Sequence, residues 1–473
     1  MFNQESQLLP AGWEWASVVD IADFLDNQRV PVSANERERR MAGKQVSDLF
    51  PYYGANGQVG LIDDYIFDED LVLLAEDGGY FGDRSKSIAY KVQGKSWVNN
   101  HAHVLRPRQG IEIGYLLSVL NYSDVMPYVR GTTRLKLNQS DARKIRVPLP
   151  PTNAQKRIVA KVEALFAESK TAREVLDKVP LLLRRFRQSI LAKAFSGELT
   201  QRDPNDEPAQ KLLEKIKLER KSYWEEDLRR KGKNPKFYRY KEPEPIVSDK
   251  LVALPSGWVW TSFETVCWEI TVGHVGPMVD EYVEEGIPFL RSLNVRENRY
   301  DPQNLKYVSS EFHKKLAKSH LFPGNIVTVR SGNVGVSCVI PGTIGEANCS
   351  DLVIVRPISS FIPEYGSYFL NSFYARDQIN SMKVGIAQTH FNIGSMKKIL
   401  IPLAPFNEQK RIVQKIAELN ALSDIIEISV AKSEELVDRI DQAILAKAFR
   451  GELVLRDPND EPASILLQRI KSA

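Results

Sequence analysis

The chain has 473 residues, 43% hydrophobic and 26% charged, with a formal net charge of +4; these values exclude a disordered chain and allow two or three packed cores. The mild positive balance permits nucleic acid as a partner without demanding it, because a strongly basic tail is missing. Cys267, Cys338 and Cys349 show no C-x-x-C spacing, which argues against a disulfide framework or a zinc site and predicts a reduced, cytoplasmic setting; Met1 to Ser6 lacks a signal-peptide pattern, and no apolar run approaches about 18 residues.

Residues 1–150 read as a first module. It opens with Leu9-Pro10-x-Gly12-Trp13-x-Trp15, and its short apolar runs, such as Leu71 to Leu74, are punctuated by Gly, Asn, Asp and Pro. That texture predicts short strands with a few helices, one of them over residues 113–120. Asp83-Arg84-Ser85-Lys86 is a turn able to contact phosphates or bases, with Arg84 and Lys86 its cations. Asn99 and Asn100 carry the side chain that suits adenine edges, and Arg130, Arg134 and Lys136, interleaved with Thr132 and Thr133, carry the one that suits guanine. Gly94-Lys95-Ser96 lacks the upstream glycine of a phosphate-binding loop, position 89 being Ala.

From residue 151 to about 200 the period changes. Ile158, Val162, Leu165, Ser169, Ala172, Leu176, Val179, Leu183, Phe186 and Ile190 recur at alternating steps of four and three, which predicts a long coiled-coil helix of about 43 residues, roughly 64 Å. Asn153 is a natural N-cap, Thr152-x-x-Gln155 suggests a capping box, and Pro180 predicts a break. A connecting segment, 201–250, carries Arg229-Arg230-Lys231-x-Lys233 and Phe237 to Lys241, a solvated linker or a contact to DNA backbone.

The second module, 251–404, repeats the opening as Leu254-Pro255-x-Gly257-Trp258-x-Trp260 and has apolar runs at 325–329 and 353–355. Its polar candidates are Arg330, Ser331 and Asn333, then Gln388, Thr389 and His390. The second helical region, 405–473, has Asn407 as a candidate cap and the seam Ile412, Ile416, Leu419, Ser423, Ile426, Val430, Ser433, Val437, Ile440 and Ile444. Two such seams are best satisfied by each other. Antiparallel pairing would turn tandem repeats into inverted ones related by a pseudo-twofold, the arrangement needed to read two half-sites on a duplex, with the helices as a ruler.

The copied parts lie at a constant offset of 254 (409 minus 155): Gln155 to Val159 with Gln409 to Val413, Ile190 to Phe195 with Ile444 to Phe449, Gly197-Glu198-Leu199 with Gly451-Glu452-Leu453, and Arg202 to Ala209 with Arg456 to Ala463. Between the anchors Gly131/Gly385 and Asn138/Asn392 the polar residues differ, as two readers of different bases require. Catalytic motifs are scarce: no G-x-G-x-x-G, no Asn-Pro-Pro-Tyr, and Glu168-Ser169-Lys170 sits on the predicted stalk.

The paired openings, Pro148 to Ile158 with Pro402 to Ile412, and the paired Ile-Leu-x-x-Ala-Phe-x-Gly-Glu-Leu tails resemble the specificity subunit of Type I restriction-modification systems. Departures are Ala154, where the pattern has Glu, and Ala404, where it has Pro. The resemblance implies an α+β architecture of two α/β target recognition domains separated and joined by two long antiparallel coiled-coil helices. It also implies that the protein binds no cofactor and no metal and catalyses nothing, while reading a bipartite sequence in double-stranded DNA. Two modification subunits binding S-adenosylmethionine, and restriction subunits using ATP and Mg, would be its partners. The alternatives are a self-contained methyltransferase or endonuclease, which the missing motifs oppose, and a coiled-coil scaffold without nucleic acid, which leaves the divergence of the modules unexplained.

Overall fold

The computed structural model describes residues 8–83, 86–246, 251–382 and 391–472. Five helices carry the repeat: α1 (Thr152–Leu176), α2 (Val179–Ser196), α3 (Ala209–Arg230), α4 (Phe406–Phe449) and α5 (Ala463–Ser472). The first stalk breaks at Asp177–Lys178, just ahead of Pro180, whose ring cannot sit in a helix interior; the second, with Glu434 at the matching position, runs unbroken. Neither expected Asn cap forms. The backbone enters α1 through Pro151 without a side-chain cap, and in place of a capping box Gln155 Nε2 donates to the Pro150 carbonyl at 3.0 Å, as Gln409 Nε2 does to Ala404 at 2.9 Å.

The chain divides into two units that do not follow chain order: Met1–Lys178 with Ser429–Ala473, and Val179–Ile428. Each module thus shares a unit with the start of its own stalk and the end of the other copy's. In the first unit Phe449 stacks on Tyr122 (4.9 Å between ring centroids) and meets Tyr115 edge-on (5.6 Å); in the second Phe195 meets Tyr365 and Phe369 at 5.2 and 5.0 Å. Arg157 pairs with Asp460 (2.5 Å) and Arg411 with Asp206 (2.6 Å), so the two repeated motifs are the halves of one interlock. The repeated glycine belongs to the same joint. Gly197 (φ 76°) and Gly451 (φ 72°) end their helices left-handed, and a Cβ there would lie 2.5 Å from Pro255 and Pro10 respectively.

Within each unit the stalk segments pair antiparallel. In the first, Ile158 and Val162 near the start of α1 share a core with Ile444 and Phe449 at the end of α4, while Arg173 near the end of α1 meets Asp438 (2.8 Å) and Asp441 (2.7 Å). In the second, Arg187 meets Asp424 (2.7 Å) and Glu427 (2.9 Å), and Ile190 and Phe195 share a core with Ile416 and Ile412. Seam residues Leu183, Ile412 and Ile416 are buried, Leu165, Leu176, Leu419 and Val437 partly so. Ile426 is 37% exposed, contrary to its seam assignment, and Ile440 is 44% exposed. A pair of helices covers only the facing strip, and these side chains lie outside it.

The first module is built on an antiparallel sheet of β1 (Ala22–Phe24), β2 (Leu71–Ala75), β3 (Ala89–Val92) and β4 (Ala102–Pro107), in order β1-β4-β2-β3. The second repeats it with β5 (Cys267–Val272), β6 (Ile326–Val329), β7 (Ser337–Val339) and β8 (Leu352–Pro357), in order β5-β8-β6-β7. The central strands are buried end to end, which explains their unalternated apolar runs. Each module closes by pairing its entry strand with its exit strand, Glu14–Ser17 with Arg146–Leu149 and Val259–Ser262 with Leu400–Leu403. A buried tyrosine locks each closure: Tyr115 donates to the Pro148 carbonyl at 2.5 Å and Tyr365 to Pro402 at 2.6 Å.

The segment 201–250, expected as connecting chain, contains α3, whose Leu212 and Ile216 are buried in the core of the second unit. Arg220 donates to the carbonyls of Glu264 and Cys267, and Tyr223 stacks on Trp268. Arg229 and Lys231 pair with Glu225 and Asp227 one turn back. Among the described residues no helix is long and apolar enough to cross a membrane.

Candidate nucleic-acid interface

In the first module the segment 130–136 is a closed, solvent-facing loop. Arg130 and Lys136 exchange backbone hydrogen bonds at 2.7 and 2.8 Å, and Gly131 (φ 93°) makes the turn where a Cβ would strike the Arg134 carbonyl. Thr132 and Thr133 at its tip are exposed. Its cations lean on carboxylates without being buried: Arg134 on Asp77 (2.9 Å), Lys136 on Glu76 (3.1 Å) and Arg130 on Asp141 (3.5 Å). Asp77 also accepts from His101 at 2.7 Å, and Asn100, the residue before it, is exposed. Such half-exposed pairs contribute little stability and leave positive heads able to exchange partners.

Other candidates fall elsewhere. Lys86 lies over the Tyr80 ring at 4.2 Å. Asn99 is buried and accepts from the His101 amide at 2.8 Å, so it shapes a turn instead of facing a base. Arg330 also points inward, to Asp351 (2.8 Å) and the Phe391 carbonyl (3.1 Å), and Ser331 joins it on Asp351 at 3.1 Å; Asn333 is exposed. Arg84, Gln388, Thr389 and His390 lie outside the described residues.

Sequence reasoning missed the polar cluster beneath the first loop. His103 is fully buried in β4, its Nδ1 2.6 Å from Asp26 and its Nε2 2.8 Å from the Leu137 carbonyl; Arg29 pairs with Glu76 at 2.8 Å, and Gln139 donates to Asp26 at 2.9 Å. Burial alone would raise the Asp26 carboxyl, but the bond and charge of His103, the Val104 amide and Arg29 hold it below the usual range. The available signal was a histidine and a lone acid set among apolar strand residues. With Arg29 already between Asp26 and Glu76, the cluster is self-neutralised and has no place for a cation. In the second module His313 and His320 stack at 3.8 Å with ring planes 5° apart, near Glu346. Parallel rings cannot converge their in-plane lone pairs on one ion at about 2.1 Å.

A family model described as Type I restriction modification DNA specificity domain matches residues 10–180 and 280–436. The chain belongs to that family: it is a DNA sequence-specificity subunit. The EcoBI specificity subunit of Escherichia coli is 26% identical over 69% of this chain and 64% of its own length. The match to the EcoDI specificity subunit of Escherichia coli is 25% identical over 98% of this chain and 96% of that one, and to the EcoKI specificity subunit of Escherichia coli K12 24% over the same shares. Among solved structures, a chain from a study of complex assembly and conformational transition of the type I R-M system aligns at TM-score 0.64 and 20% identity, covering 94% of this chain and 100% of that one. The HsdS subunit of Thermoanaerobacter tengcongensis aligns at TM-score 0.51 and 20% identity, covering 95% and 99%. These two likenesses bear on the fold alone.

Proposed function

We propose that this chain reads a bipartite sequence in duplex DNA, one half per module, and itself catalyses nothing. The observation that carries the reading is the division of labour in the repeat: the copied motifs form the interlock and the facing strip of the helices, whereas the loop 130–136 differs from its counterpart 384–390 at nearly every polar position. The number of residues in the stalks sets the unread spacer. The three thiols are all buried and all pushed up by burial, Cys338 to about 12, which suits none of them to nucleophilic work.

The partners are modification subunits that bind S-adenosylmethionine and restriction subunits that use ATP and Mg. Apolar side chains left exposed on the stalks supply a docking surface: Leu181, Leu182 and Leu422 in the second unit, Val175 and Leu436 in the first. The test is genome-wide adenine methylation in cells carrying the chain and its neighbouring genes. A two-part motif should appear, vanish when this gene is deleted, and gain spacer length with both halves unchanged when seven residues are added to each stalk. An unchanged spacer, or methylation by the purified chain alone, overturns the proposal.

A further inference from the structure

The loop 130–136 is exposed at its tip but fixed at its exit. Leu137, the first buried residue after it, has both backbone polar groups tied: its amide donates to the carbonyl of Glu76, the residue after β2 (2.7 Å), and its carbonyl faces His103 Nε2 (2.8 Å). His103 is itself held from behind by Asp26 at 2.6 Å. Shifting by the repeat offset of 254, Leu137 falls on Phe391 (137 plus 254). The Phe391 amide donates to the carbonyl of Arg330, the residue after β6 (3.3 Å), and its carbonyl accepts from Arg330 Nε (3.1 Å), with Asp351 backing the guanidinium at 2.8 Å.

The two modules therefore build the same clamp from different residues: a nitrogen donor, fully buried in the first module and partly buried in the second, steadied by a carboxylate, on the carbonyl of the residue that leaves the variable segment. Fixing a backbone residue saves the entropy of ordering it on binding, and a base contact discriminates only when its donor arrives at a fixed angle. We propose that His103 in the first module and Arg330 in the second are positioning residues that set the selectivity of the half-site their own module reads, without touching DNA. This rests on the reading that the modules contact DNA.

The test uses the full complex in cells and the adenine-methylation motif as readout. His103→Leu removes the donor to Leu137, and at one or more positions of one half of the motif the preference for the correct base should fall by about tenfold, the worth of one good base contact; the other half stays sharp. Arg330→Met should blur the opposite half only. His103→Gln and Arg330→Lys, which keep an N–H donor at the site, should restore most of the lost preference. Uniformly weaker methylation with both halves still sharp, or blurring of both halves by either variant, overturns the proposal and marks the clamps as general supports of the fold. If the unaltered chain produces no bipartite motif, the DNA-reading proposal fails instead.

Discussion

The two interlocks differ at one buried position. Around Arg157 and Asp460, Ala154 leaves a cleft of about 180 Å³ beside a half-buried Trp13. Around Arg411 and Asp206, Glu408 occupies the matching place, 1% exposed, and accepts from the Trp258 indole at 2.9 Å. The ion pair, the glycine turn against proline and the amide of Ala463 or Ala209 on the Gly12 or Gly257 carbonyl are the same in both. The joint is thus defined by the Arg–Asp pair and the backbone, and the tryptophan–glutamate bond is an addition that brings a buried charge with it. Burial raises the Glu408 carboxyl above its usual range, against the Trp258 bond and the Arg411 charge, which pull it down.

The comparison breaks most visibly at the aromatic ends of the stalks. Phe195→Ala and Phe449→Ala should each cost about 3–5 kcal/mol, and the loss should fall on the module of the other copy. Hydrogen exchange should loosen residues 255–404 for Phe195 and 10–150 for Phe449; loosening of the module in the same copy would deny the exchange of ends.

A smaller effect is expected from the ion pairs. Removing Arg157 or Arg411 leaves Asp460 or Asp206 buried without its partner, about 1–3 kcal/mol in denaturant unfolding. Arg411→Ala should cost more than Arg157→Ala, because it also uncovers Glu408, and the excess should disappear in a Glu408→Gln background. Equal costs in both backgrounds would show that Glu408 does not feel Arg411.

Smallest is the pH effect of Glu408 alone. Its folded pKa lies above the unfolded value near 4.5, so its favourable contribution is complete below that value and is lost as pH rises through the folded one. Glu408→Gln keeps an acceptor for Trp258 and removes the titration. The melting temperature of this variant relative to the parent should climb across that window and then level off, whereas a flat difference would mean that the carboxylate is solvated.

Much of this was legible in the chain itself. Alternating steps of four and three over residues 158–190 and 412–444 predict long helices, Pro180 predicts a break in one of them, and short apolar runs such as Leu71 to Leu74, bounded by Gly, Asn, Asp and Pro, predict short strands. The variable loop was also visible, because polar residues there change between two anchors that do not. Side-chain direction was not visible. Asn99 and Arg330 have the chemistry of base contacts and turn inward, while His103, which no sequence pattern singles out, holds the carbonyl at the loop exit.

Local pattern by itself determined the two stalk helices and the break in the first, since these follow from the periodicity and backbone limits of neighbouring residues, and the constant offset determined the duplication; the helix over 209–230 was not among them. Only the tertiary structure decided which copy's end closes which module and which polar groups face solvent. Those depend on contacts such as Arg157 with Asp460, made across some 300 residues, and no local propensity encodes them.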